Sequence, residues 1–221
     1  MFLGHFAVGL AAKRATPALS LGVLFAAAQF ADLLWPNLVL AGVEKLEIVP
    51  GATAVNPLRF VSYPWSHSLV ALVVWGVLLG LASLLIRRKR WAEAGVLALL
   101  VVSHWLLDVA SHLPDMPLTL AGGSRLGLGL WRSMPWTLAA ELLLIGAGLA
   151  IYLRATRARD RIGSVGFPVL IALLVAIYAG SLFGPLPPSP QAVAWSAQAM
   201  WLIVLFGWWV DRHRERRPIA A

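Results

Sequence analysis

Four ionisable groups stand inside otherwise apolar stretches of this sequence: Asp32, His104, Asp108 and Glu141. At mid-bilayer a carboxylate costs at least ~2.5 kcal/mol even on the lenient insertion scale, so such groups need partners, and their default reading is a functional site. The densest stretch is SHWLLDVASHLPD, residues 103–115. Residues four apart share a helix face, so His104, Asp108 and His112 form one polar stripe. His104 and Asp108 then stand one turn apart, close enough to share a metal. The chain has no cysteine, which excludes disulfides and thiolate sites and leaves nitrogen and oxygen ligands for any ion. Zinc accepts both at ~2.0–2.2 Å, in catalytic sites usually with three protein ligands and a water. His5, Asp32, His67, His104 and Asp108 offer enough donors for one ion or two. Each residue alone also has a plainer reading. A single histidine can be a hydrogen-bonded structural group, His112 and Asp115 can cap a helix end before Pro114 and Pro117, and Glu141 can pair with an arginine. His213, among arginines, reads as solvated.

The elements that must position these groups are set by composition. Hydrophobic residues make up 60% of the chain and charged residues 13%, about half the charged share of a soluble domain. A soluble domain of 221 residues could not hide that much apolar surface, so the expected solvent is lipid. A bilayer core of ~30 Å needs about 20 apolar residues in a helix. Stretches at about 18–40, 67–86, 92–113, 135–153, 163–183 and 191–210 meet or approach that length, and a shorter one at 2–12 precedes them. The expectation is an all-α fold: a polytopic transmembrane bundle of six long helices plus one short N-terminal helix, in one membrane domain over residues 1–221. The N-terminal MFLGHFAVGL lacks the basic start of a secretory signal peptide and reads as mature sequence.

Charge supplies an orientation. The net charge of +8 lies in short clusters, which suits membrane topology rather than nucleic-acid binding. With a cytoplasmic C-terminus, fourteen Lys and Arg fall on the cytoplasmic side and only Lys45, Arg59, Arg125 and Arg132 on the other, a strong positive-inside signal. In that frame Asp32 lies ~22 Å from the inner end of its helix. His5, His67, His104, Asp108 and Glu141 also fall in the outer half. Trp35, Trp65, Trp131, Trp136 and Trp195 near the outer ends read as an aromatic belt.

These segments resemble the bacterial membrane-bound family of metal-dependent hydrolases that includes a LexA-regulated inner-membrane protein. That family has an N-terminal helix with a His, a Pro-Asp-x-Asp segment, an HRGxTHS segment and an SHxxxD segment. The counterparts here are His5 in GHFAVGL, Asp32 in FADLLWP, His67 in WSHSL, and His104 with Asp108 in SHWLLD, in the same order over the first ~115 residues. The family's second Asp falls on Leu34 and its first His on Ser62. Either one ion suffices, or His112, Asp115, Glu44 or Glu141 compensates. The resemblance implies a bacterial inner-membrane hydrolase with a divalent metal, zinc by its ligand types. In this reading the ion activates water against an ester or phosphoester, with His112 or Glu141 as general base. Arg125 and Arg132, in the outer loop, either hold an anionic head group of an amphiphilic or lipid substrate or equally serve as interfacial anchors. The alternatives are an ion- or proton-coupled transporter, and a non-catalytic scaffold with a structural metal.

Overall fold

In hydrocarbon a backbone satisfies its own N–H and C=O groups only as a helix or a closed barrel, and the apolar stretches of this chain become helices. The computed structural model describes residues 1–217. Residues 218–221, the chain end invoked for orientation, lie outside the described residues. In chain order the elements begin with α1 (Leu3–Ala12), α2 (Leu21–Ala28) and α3 (Phe30–Leu40). A hairpin follows, β1 (Lys45–Ile48) against β2 (Leu58–Ser62), antiparallel with Glu47 opposite Arg59. A single turn, α4 (Pro64–His67), leads into α5 (Leu69–Ile86) and α6 (Trp91–Ser111). A two-residue pairing of β3 (Met116–Pro117) with β4 (Arg125–Leu126) precedes α7 (Met134–Ala155). Then come β5 (Thr156–Ala158), α8 (Arg161–Phe183), α9 (Pro190–Ala197), α10 (Met200–Arg212) and β6 (Arg214–Arg216), with β5 and β6 paired.

Helices α5, α6, α7, α8 and the segment Pro190–Arg212 are each long and apolar enough to cross a bilayer. A sixth crossing forms if α2 and α3 count as one bent span. The chain is therefore the mostly helical, multi-pass membrane bundle that its composition implies. Three features differ from the sequence expectation. The stretch 18–40 is broken at Gln29, where the helix axis turns by 58°. The break falls away from Pro36, which stays inside α3. His67 does not open α5 but ends the one-turn α4. Ser68 is extended and caps α5 by accepting from the Ala71 N–H at 3.1 Å. Helix α6 stops at Ser111, so His112 lies just past the stripe in extended backbone.

The short helix α1 is packed into the core of the bundle: Leu3, Phe6 and Leu10 have no exposed surface. It approaches α7 closely, and a Cβ on Gly148 would lie 2.5 Å from the carbonyl oxygen of Ala7. Helices α5 and α6 meet in the same manner, since Cβ atoms on Gly76 and Gly80 would stand 2.8 and 3.0 Å from the carbonyls of Ala98 and Ala94. Small residues four apart let membrane helices gain packing where no hydrophobic effect drives them together. Lipid-directed positions such as Leu85, Ile86 and Leu143 are more than 70% exposed, the surface of a chain whose solvent is hydrocarbon.

The end of the bundle where α10 finishes holds a polar knot that sequence reasoning passed over. Lys13, counted in the charge split, is buried, and its Nζ donates to Asp211 Oδ2 at 2.5 Å and to the Leu19 carbonyl at 2.7 Å. Tyr152 Oη donates to Asp211 Oδ1 at 2.7 Å, and the Leu21 N–H to Oδ2 at 3.1 Å. One carboxylate thus ties the end of α1 and the start of α2 to α7 and α10. His213 is also partnered rather than merely solvated: its Nδ1 lies 2.7 Å from Asp160 Oδ2.

Candidate metal centre

Helix α6 sets the frame. Asp108 stands one turn beyond His104, and its two oxygens face different groups. Oδ1 lies 3.1 Å from His5 Nε2 and 2.5 Å from the nitrogen of Met1. Oδ2 faces three imidazole nitrogens: His104 Nε2 at 3.1 Å, His67 Nε2 at 3.8 Å and His112 Nε2 at 4.0 Å. Asp32, from α3, brings Oδ1 within 3.4 Å of His67 Nε2 and 3.7 Å of His104 Nε2. The His5 and His104 rings stack at 3.7 Å. All five proposed ligands therefore come together, and His112 stands beside them.

The far side of each ring explains what the near side presents. His104 Nδ1 sits 2.9 Å from the carbonyl of Ala28, the last residue of α2, whose terminal carbonyls lack helical partners. A carbonyl only accepts, so Nδ1 carries the hydrogen. His67 Nδ1 is 2.7 Å from Ser66 Oγ, which spends its own hydrogen on Glu44 Oε2 at 2.6 Å. Glu44 is held in turn by the N–H groups of Trp65 and Ser66. His112 Nδ1 faces Asp115 Oδ1 at 3.0 Å, and Asp115 also accepts from Tyr63 Oη at 2.9 Å. Burial and the Asp115 carboxylate push the Tyr63 phenol above its ordinary pKa, so it stays a donor. With these tautomers, assigned from the hydrogen-bond network, the Nε2 lone pairs of His67, His104 and His112 face Asp108 Oδ2, while Asp108 Oδ1 accepts from the Met1 ammonium. His104 Nε2 is buried and makes no hydrogen bond at all. Acceptors facing acceptors repel unless a cation lies among them. Ring nitrogens fixed from behind by carbonyl or carboxylate are also how proteins orient metal-binding histidines. Donors on a tetrahedral ion with bonds of ~2.0–2.2 Å stand ~3.3–3.6 Å apart. The 3.1, 3.4, 3.7 and 3.8 Å separations bracket that range, and the donors fall into two triads that share His104, one of His5, His104 and Asp108 and one of Asp32, His67 and His104. The residues present thus fit a divalent ion.

The centre borders a cavity of about 490 Å³ whose polar wall includes Asp32, His67, Asp108 and His112. Ile177 and Leu182 of α8 and Met200 and Ile203 of α10 make an apolar wall. Leu58 and Phe60 of β2 line it too, along with Trp131, whose ring packs 4.1 Å from that of His112. Trp35, assigned to the aromatic belt, is buried and lines this cavity, whereas Trp65, Trp136 and Trp195 are exposed.

Three sequence assignments change place. Among the described residues Glu141 pairs with no arginine: it lines the same cavity, and its Oε1 accepts from the Phe2 N–H and Oε2 from the Gly4 N–H, both at 2.7 Å. It caps the N-terminus of α1, where backbone N–H groups lack helical partners and the helix dipole favours negative charge. Glu141→Gln should therefore leave the purified protein's metal content unchanged. It should cost about 1–3 kcal/mol of stability, because one buried N–H would face an amide NH₂. The thermal midpoint in detergent reads this, and an unaltered midpoint would remove the capping role. Arg125 and Arg132 are exposed and do not line the cavity; Arg125 reaches the Val61 carbonyl at 3.4 Å. Glu44 and Asp115, considered as substitute ligands, stand behind histidines instead. Ser66 and Tyr63 were not singled out in sequence; adjacency to His67 was the one available signal for Ser66.

These features define a class: a multi-pass helical membrane protein with a buried His–Asp cluster opening on a part-apolar cavity. No family model matches the chain, and no significant match is found among curated proteins or solved structures.

Proposed function

We propose that the chain is a membrane-embedded metal-dependent hydrolase of an ester or phosphoester in an amphiphilic substrate, similar in kind to the bacterial family whose motifs it resembles. The observation that carries this is the convergence of lone pairs from His67, His104 and His112 on Asp32 and Asp108 at the wall of a cavity. Asp32, His67, His104 and Asp108 would hold the ion, with His5 beside them. A divalent ion, zinc by donor type, would supply Lewis acidity toward the scissile carbonyl or phosphoryl oxygen. His112 would hold and return a proton at Nε2, since Asp115 fixes its other nitrogen. The apolar wall of α8 and α10 would take the hydrocarbon part of the substrate and exclude water. Arg125 and Arg132 would act only at the outer rim, on an anionic head group.

Two rivals are less well supported. A proton-coupled transporter needs polar groups through the membrane, but fully buried Phe6, Leu10, Leu21 and Phe25 pack between the cluster and the Asp211 knot. A structural metal site is closed, whereas this cluster borders a substrate-sized cavity. The charge split supports a bacterial inner-membrane orientation with the β5–β6 end cytoplasmic and the cluster toward the extracytoplasmic face. The test is metal analysis of protein purified without chelators, followed by assay against a broad ester and phosphoester panel. Bound metal with hydrolysis removed by chelator is the expected result. Metal without hydrolysis would favour the scaffold, and absence of metal would end the hydrolase reading.

A further inference from the structure

A second hollow, of about 640 Å³, opens at the opposite end of the bundle, far from the His–Asp cluster in depth. Its walls are Leu149 and Leu153 of α7 and Phe167, Pro168 and Ile171 of α8, an apolar slot between two membrane-crossing helices. Its mouth is built by the β5–β6 pair and carries Arg157, Arg214 and Arg217. The guanidinium of Arg214 lies over the Phe167 and Tyr152 rings at 4.8 and 5.3 Å, donates to the Gly163 carbonyl at 2.8 Å and reaches Thr156 Oγ1 at 3.2 Å. Arg217 is held through Nε by the Thr156 carbonyl at 3.0 Å, and Arg157 through Nε by Glu215 at 2.8 Å. Three cations and one carboxylate thus ring the top of a hydrocarbon-lined slot.

We propose that this groove binds an anionic phospholipid of the leaflet at the arginine-rich end, one acyl chain between α7 and α8 and the phosphate against Arg157, Arg214 and Arg217. The charge complementarity is specific in form. Guanidinium forks match phosphate oxygens bidentately, basic pockets between transmembrane helices select anionic head groups, and the slot below is apolar enough for an acyl chain. A neutral phospholipid would gain the slot but not the net charge. The site makes no use of the His–Asp cluster and stands or falls independently of the hydrolase reading.

The test uses the full chain in a non-ionic detergent. Native mass spectrometry follows its titration with phosphatidylglycerol or phosphatidylcholine of equal chain length, and thermal midpoints confirm folding. Phosphatidylglycerol should bind at least tenfold more tightly than phosphatidylcholine, and millimolar inorganic phosphate should not displace it. The pair R157Q and R217Q, at exposed positions on β5 and just past β6, should reduce that preference to less than threefold. Ala172→Trp, which puts a bulky ring on a lipid-exposed position of the groove, should weaken both lipids at least fivefold without altering metal content. Equal affinity for the two lipids, displacement by phosphate, or an unchanged preference in the paired variant would overturn the proposal.

Discussion

Asp108→Asn is expected to cost the protein its metal and its hydrolytic activity together. The side chain keeps its shape but loses its charge, and one of its oxygens becomes an amide nitrogen that can no longer ligate. Asp108 faces more of the cluster than any other residue: His5 and the Met1 nitrogen at Oδ1, and His104, His67 and His112 around Oδ2. Loss of an outer partner of a metal ligand typically costs 10–100-fold in affinity. Removal of a charged ligand should exceed that, so metal content after dialysis should fall from near-stoichiometric to a small fraction. Because Asn can pair with a lone pair through its NH₂, the fold should survive, and a monodisperse elution profile would establish that. An Asp108→Asn protein that retains full metal would refute the ligand assignment, whatever its activity.

The largest effect on stability is expected at the opposite end of α1. Lys13→Met leaves the Asp211 carboxylate buried against Tyr152 and Leu21 with no countercharge, and breaking such a pair from one side costs about 3–5 kcal/mol. The pairing geometry makes the prediction sharp, because Asp211 is 6% exposed and Lys13 8%. Combining Lys13→Met with Asp211→Leu removes both charges and should recover a good part of the loss. Recovery stays partial because the Tyr152 hydroxyl and the Leu21 N–H then lose their acceptor. Unfolding in mixed micelles gives the comparison. A single variant as stable as the parent would mean that the Lys13–Asp211 pair contributes nothing to the fold.

Much of the scaffold was legible because lipid imposes a length and a composition on every span. The broken crossing was not: Gln29 and Phe30 carry no helix-breaking signal, while Pro36, which does, sits inside α3. Convergence of His5, Asp32, His67, His104 and Asp108 followed from depth, since polar groups at one level of a bundle avoid lipid only by facing each other. What sequence could not supply was the second partner of each group. Ala28 reaches His104 with a carbonyl, and Phe2 and Gly4 reach Glu141 with N–H groups. Every residue type carries those backbone atoms, so no side-chain pattern marks them. The partner of Lys13 was hidden for a related reason, since it lies 198 positions away in sequence.

That separation bears on the order in which the molecule is made. At ribosomal speeds of roughly 5–20 residues per second, Asp211 emerges about 10–40 s after Lys13, and Asp108 about 5–20 s after His5. Until Asp108 is made, His5 lacks its carboxylate, and until Asp211 is made, the Lys13 ammonium has the Leu19 carbonyl but no countercharge. Stable residence of α1 in the core is therefore a late event of biogenesis, completed when α10 delivers its carboxylate. Until then the earlier spans surround a centre that the first-made helix has still to fill.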